Sequence, residues 1–210
     1  MTTIHREAER ILRPPSRVAM LQRVPQGGVA VEIGVFRGAF AEHIRTILHP
    51  SRLLLIDGWR APYPHPLHHD PEESYRIVER KFGDDPCVDI LRGESVETIA
   101  GLRDESIDFA YVDADHRYGS CLADMEALWP KMRPGGWLCG HDFCELRWFG
   151  VVRAVAVFCD RHDLTLDLLT DEPPIEVPSA VTSPPWFSRH SPKHVAFNSF
   201  GLRIPLAKAP

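Results

Sequence analysis

The sequence predicts an α/β chain folded as a doubly wound, mostly parallel sheet, and three observations carry that prediction. Short apolar runs at 29–33, 53–57 and 107–113 have the length and continuous hydrophobicity of strands covered on both faces. The first runs into Gly34, and the second and third close on Asp57 and Asp113, the residue types that end a strand beneath a ligand. Segments with helical spacing separate the runs, and strand alternating with helix is the pattern of a parallel sheet.

At 210 residues and 44% hydrophobic content the chain buries one sizeable core, and its organisation is read as N-terminal helices over 1–28, a main domain over 29–190 with a lid loop at 58–70, and a tail over 191–210. Ile4, Ala8, Ile11 and Leu12 share a helical face, Pro14 and Pro15 interrupt it, and Val18, Leu21 and Val24 mark a second short helix. These helices cover the sheet edge, the ligand or a second subunit. The first strand carries Glu32, bends at Gly34 and Gly38, where backbone approaches a ligand closely, and leads into a helix over 39–48. This Glu-x-Gly-x-x-x-Gly pattern differs from the Gly-x-Gly-x-x-Gly of dinucleotide sites. Glu32 would repel a phosphate and suits a cationic or hydroxyl-bearing ligand. Asp57, closing the second strand, is placed to accept both hydroxyls of a ribose.

The stretch 58–70 is crowded with proline and histidine, including His65, His68 and His69, and reads as an active-site loop rather than a metal site. A helix over 72–82, a turn at 83–86, a third strand over 88–91 and a helix over 96–102 follow, with Ser95 in capping position. The fourth strand ends at Asp113, then come a helix over 120–132, an Arg-Pro-Gly-Gly turn at 133–136 and a fifth strand over 137–140. A helix over 150–159 and a strand over 164–169 come next, and 171–185 is a proline-rich connection. Val195, Phe197, Phe200, Leu202 and Ile204 are too apolar for a solvated tail and are expected to pack on the domain or on a homo-oligomer partner.

Ligands of doubly wound sheets bind outside the carboxyl ends of the strands, which gathers Asp113, Asp115 and His116 with His141 and Asp142 on one rim. An imidazole there titrates near neutrality and takes a proton when a carboxylate such as Asp113 or Asp115 orients it. A formal net charge of -5 gives no electrostatic reason to bind nucleic acid or an anionic membrane, so a small-molecule substrate is expected. Without an apolar run of membrane-spanning length, and with a charged N-terminus, the expected location is cytoplasmic. Five cysteines without a Cys-x-x-Cys pair argue against disulfides and structural zinc, although Cys139, His141 and Cys144 lie close in sequence.

The glycine turn with Asp57 in register resembles the class I methyltransferases that use S-adenosylmethionine. More specific is Tyr-Val-Asp-Ala-Asp-His-x-Tyr at 111–118, then a helix, Arg-Pro-Gly-Gly, a strand and Gly-His-Asp-Phe at 140–143. That combination is similar to the small O-methyltransferase family that includes macrocin O-methyltransferase-like and cephalosporin hydroxylase-like proteins. The likeness runs from 29 to about 158, with a weaker echo at 185–189. It implies a Rossmann-like methyltransferase fold of seven strands, the last antiparallel and assigned to 186–189, with S-adenosylmethionine as cofactor and Glu94 or Ser95 at its adenine edge. In metal-dependent members of the family, the positions of Asp113, His141 and Asp142 hold magnesium and the position of His116 supplies the base. An imidazole at His141 departs from that pattern, because magnesium prefers oxygen ligands, for which Asp115 is a nearby substitute. Asp113 and Asp142 read equally as partners of the cofactor's amino acid part or as helix caps. The expected activity is methyl transfer to a hydroxyl of a small sugar-like or natural-product metabolite, with or without Mg2+. Two alternatives stay open: a metal-independent enzyme acting on nitrogen or carboxylate through His116 or His141, and a non-catalytic S-adenosylmethionine-binding partner protein.

Overall fold

The structure, a computed structural model, describes residues 11–60, 70–144, 146, 149–177 and 194–206. Seven strands form one sheet in the order β3-β2-β1-β4-β5-β9-β6. They are β1 (Val29–Ile33), β2 (Arg52–Asp57), β3 (Val88–Arg92), β4 (Ile107–Val112), β5 (Met132–Phe143), β6 (Leu168–Leu169) and β9 (Asn198–Arg203). A separate ribbon pairs β7 (Ile175–Glu176) with β8 (His194–Val195). The first five strands of the chain run parallel, and β9 enters antiparallel between β5 and β6. This is the doubly wound sheet that the sequence predicts.

The helices are α1 (Arg17–Leu21), α2 (Ala39–His43, continued by a π turn over Ile44–Leu48), α3 (Pro71–Phe82), α4 (Ser95–Ala100), α5 (Tyr118–Leu128) and α6 (Val151–His162). Local chemistry sets their starts. The Ser16 hydroxyl accepts from Ala19 N at 3.2 Å, and the Asp70 carboxylate accepts from Glu72 N at 2.9 Å ahead of Pro71 in the first turn. Because the strands are buried on both faces, alternate residues feed two cores. Ala30, Leu53, Leu55, Phe109 and Tyr111 join α1, α2 and α3 on one face, while Val31, Ile33, Leu54 and Ala110 join α4, α5 and α6 on the other.

The antiparallel strand is Asn198–Arg203, so the stretch 191–210 contributes a strand of the sheet instead of a tail, and Phe200 and Leu202 are fully buried in it. The expected strand at 186–189 lies outside the described residues, as do the first helical stretch through residue 10 and lid residues 61–69 with their three histidines. The fifth strand is longer than expected and absorbs the Arg-Pro-Gly-Gly turn, because Met132 already pairs with Ile107. The expected strand over 164–169 shrinks to Leu168–Leu169. Among the described residues no helix is long and apolar enough to cross a membrane.

Candidate active site

Strand order reverses between β1 and β4, and ligands of open α/β sheets bind outside the carboxyl ends at such a point. Gly34 adopts φ +86°, and a β-carbon there would fall 2.2 Å from the Asp113 carbonyl oxygen. Gly38 adopts φ +73°, with the Phe82 ring 2.8 Å from the same imagined atom. Close approach of the protein itself thus requires both glycines, Gly34 beside β4 and Gly38 beside α3.

Asp57 closes β2 and fastens this turn. Its Oδ2 accepts from Val35 N at 2.8 Å and Phe36 N at 2.9 Å, and its Oδ1 accepts from Trp59 N at 2.7 Å. The Trp59 indole donates to the Phe36 carbonyl at 2.8 Å, holding Phe36 (φ 53°) and Trp59 (φ 40°) in left-handed backbone. Glu32 is fully enclosed, and its Oε2 meets no hydrogen-bond partner among the described residues. Burial raises its pKa well above the carboxylate range, and the charge of Asp113 adds to the effect.

Across the switch point, Asp113 follows β4, and His141 and Asp142 lie near the end of β5. His116 Nδ1 lies 3.0 Å from Asp142 Oδ2, and His141 Nδ1 lies 3.3 Å from Asp142 Oδ1 and 3.7 Å from Asp113 Oδ1. One donor atom each from Asp113, His141 and Asp142 falls within 4.8 Å of the others. Burial works against the charge of both imidazoles, but Asp142 beside them outweighs it and raises both pKa values. The same two rings hold the Asp142 carboxyl well below its usual range despite its burial. Asp113 moves the other way, to about 6, through burial and the neighbouring charge of Asp142.

The remaining predicted site residues meet partners within the protein. Asp115 binds the Arg117 side chain and backbone and accepts from Ser120 Oγ at 2.9 Å, which fixes the start of α5, so it is Asp142 that orients His116. Glu94 pairs with Arg60 at 2.9 Å, and the Ser95 hydroxyl donates to the buried Asp124. Sequence reasoning missed Arg17, whose Nη1 reaches Asp113 Oδ2 at 3.2 Å from α1. It also missed Gly150, whose N–H donates to the His116 carbonyl at 2.6 Å.

Residues 31–143, more than half of the chain, match the pattern of the methyltransferase domain. The chain belongs to that family. It is a methyltransferase of the S-adenosylmethionine-dependent class, and its fold recurs in solved structures. The N-methyltransferase NodS from Bradyrhizobium japonicum WM9, in complex with S-adenosyl-L-homocysteine, matches at TM-score 0.57 and 16% identity over 90% of this chain and 86% of that one. A SAM-dependent O-methyltransferase from Thermotoga maritima matches at TM-score 0.58 and 15% identity over 92% of this chain and 65% of that one. Precorrin 8w decarboxylase from Methanobacterium thermoautotrophicum matches at 0.53 and 18% over 87% and 86%. No curated protein matches the sequence at a significant level.

Proposed function

We propose that this methyltransferase moves the methyl group of S-adenosylmethionine to a hydroxyl of a small, polyhydroxylated metabolite, with His116 as the base. The observation that carries the reading is the 3.0 Å approach of His116 Nδ1 to Asp142 Oδ2 beyond the carboxyl ends of β4 and β5. Methyl transfer from a sulfonium is an in-line displacement, in which the attacking oxygen is held about 3 Å from the methyl carbon and sheds its proton. Asp142 engages Nδ1 and turns the ring so that the proton is accepted at Nε2, and the raised pKa makes the imidazole a stronger acceptor. Phe149 packs edge-on against the ring at 4.4 Å and limits its rotation. The cofactor supplies the electrophilic methyl group, and the unpartnered Glu32 carboxyl suits a ligand that brings positive charge to β1.

Asp113, His141 and Asp142 would hold a divalent cation, whose chemistry would be to lower the pKa of the acceptor hydroxyl. The imidazole in the set favours manganese or a later first-row ion over magnesium. Calorimetric titration with manganese and with magnesium is expected to give tighter manganese binding that His141→Ala abolishes, and equal binding to the variant would remove these residues from a metal role. For the reaction itself, turnover with panels of hydroxyl, amine and carboxylate acceptors is expected to yield a base-stable methyl ether. A base-labile methyl ester or an N-methyl product would overturn the hydroxyl assignment.

A further inference from the structure

Asp113 offers its two oxygens in two directions. Oδ1 faces His141 Nδ1 at 3.7 Å, within the set that would hold a cation, while Oδ2 accepts from Arg17 Nη1 at 3.2 Å. Asp113, His116, His141 and Asp142 also line a cavity of about 10 Å³, room for a particle about the size of one water, and Arg17 is not among its described lining residues. The guanidinium therefore acts on the site from outside, through its charge and not by filling the place of an ion.

Arg17 reaches this carboxylate from α1, which precedes the stretch matched to the family pattern, and α1 has anchors that do not use the Arg17 side chain. The Arg17 backbone N donates to Glu172 Oε1 at 2.9 Å, Glu172 N donates to Asn198 Oδ1 at 3.0 Å, and Ser16 caps the helix. The guanidinium lies 4.8 Å over the Phe40 ring, which holds it beside Asp113. A guanidinium held next to a ligand carboxylate affects a cation in one of two ways. It organises the carboxylate by fixing its rotamer, which strengthens binding, or it competes with the ion for the same negative charge, which weakens binding. Charge decides between them. Asp113 and Asp142 bring two negative charges, Arg17 offsets one, and side chains only 20% and 8% exposed at the two acids leave the repulsion between guanidinium and ion poorly screened. Rotamer organisation counts for less, because a short carboxylate side chain has little freedom to lose.

We infer that Arg17 is an electrostatic competitor carried on α1, which offsets the charge of Asp113 and holds the cation affinity of the Asp113, His141 and Asp142 set low enough that the ion exchanges instead of residing. The inference rests on the cation reading given above and adds a residue which that reading does not use. Linkage makes the effect reciprocal: as Arg17 weakens the ion, the ion loosens the Arg17–Asp113 pair, and the guanidinium is released when the ion enters. Occupancy then follows the free concentration of the cation.

The experiment is titration of the purified full chain with manganese chloride, free ion being read from its electron paramagnetic resonance signal. Arg17→Gln keeps an N–H donor for Asp113 and removes the charge, and it is expected to bind manganese about 10- to 100-fold more tightly than the parent. Arg17→Lys keeps the charge and loses the planar fork, and its affinity should stay within about threefold of the parent. Equal binding by Arg17→Gln and the parent would overturn the competition, and weaker binding would make Arg17 an organiser of the site. A gain of the same size in Arg17→Lys would overturn it too, since charge would not be the cause. A measurement on the parent serves if Arg17→Gln does not fold: saturation with diamagnetic zinc should speed hydrogen exchange at the Arg17 guanidinium in nitrogen-15 spectra, and exchange unchanged with zinc bound would overturn the release. Absence of manganese binding in the parent and in both variants would instead refute the cation reading itself.

Discussion

Asp142 is the residue on which the site turns. In a regular strand His141 and Asp142 would project to opposite faces. Here Asp142 takes φ 55° and the β5–β9 register shifts between Gly140 and Phe143, so both side chains come to the rim that holds Asp113 and His116. Such backbone costs on the order of 1 kcal/mol or more in a non-glycine residue, and it persists where surrounding structure imposes it. Asn tolerates the same left-handed conformation and keeps the side-chain shape while removing the charge. Asp142→Asn is therefore expected to fold normally by circular dichroism, to bind S-adenosylhomocysteine within about threefold of the parent, and to lose about 100-fold or more in turnover. Turnover within twofold of the parent would end the positioning role. The membership of this rim was legible in the sequence because Asp113, His116, His141 and Asp142 all follow strand-like runs. Which carboxylate meets which imidazole was not, since alternation predicts a face and the bulge at Asp142 breaks alternation. Asp115, adjacent to His116 in sequence, is drawn away by Arg117 and Ser120.

At the scale of elements, hydrophobic runs located β1 to β5 and most helices, because interior parallel strands are apolar throughout and stand out from amphipathic helices. The strand over Asn198–Arg203 escaped because it begins with two polar residues, holds Gly201 and pairs with partners from distant parts of the chain. The junction of α5 and α6 escaped for a similar reason. A β-carbon on Gly150 would lie 2.2 Å from the Tyr118 amide nitrogen, although φ at Gly150 is an ordinary −107°. Gly150→Ala must therefore separate the two helix starts and shift the His116 carbonyl bonded there, costing about 1–3 kcal/mol in urea unfolding and lowering turnover. Gly119→Ala, with nothing within 4 Å of its β-carbon and a place in α5, is the control and should be neutral or more stable. Equal behaviour of the two variants would count against packing at Gly150. Between α4 and α5, Asp124 is pushed up to about 6 by burial, against the pull of the Ser95 hydroxyl. Its folded pKa exceeds the ordinary value, so the folded state holds more protons and stability falls as pH rises from about 4 to about 6. Asp124→Asn keeps an acceptor for Ser95 and removes the titration. It should match the parent near pH 4 and exceed it by up to about 3 kcal/mol above pH 6, as measured by urea unfolding across that range. A difference independent of pH would show that the carboxyl is not the cause.

The whole molecule concentrates acid at one edge of its sheet. Glu32, Asp57, Asp113 and Asp142 all stand at carboxyl ends of parallel strands on either side of the point where strand order reverses. Asp57 accepts from three backbone N–H groups, Asp113 pairs with Arg17 and Asp142 with two imidazoles, which leaves Glu32 with a fully buried oxygen and no partner among the described residues. On the proposed cofactor role of Glu32, stability and ligand binding are set against each other at one carboxyl. The consequence is a pair of thermal shifts with opposite signs. Glu32→Gln relieves an unpaired buried acid worth about 1–3 kcal/mol and should raise the ligand-free melting temperature by about 2–8 °C. S-adenosylhomocysteine at 100 times its Kd should stabilise the parent by about 2.7 kcal/mol, and the same concentration should stabilise the variant by much less. Differential scanning calorimetry of both proteins with and without the ligand reads all four midpoints. If the variant loses stability and gains the full ligand shift, Glu32 is a structural residue of β1 and the acidic edge has no stake in binding. If it melts higher and responds less, the cost of burying Glu32 is what the cofactor's positive charge relieves on binding.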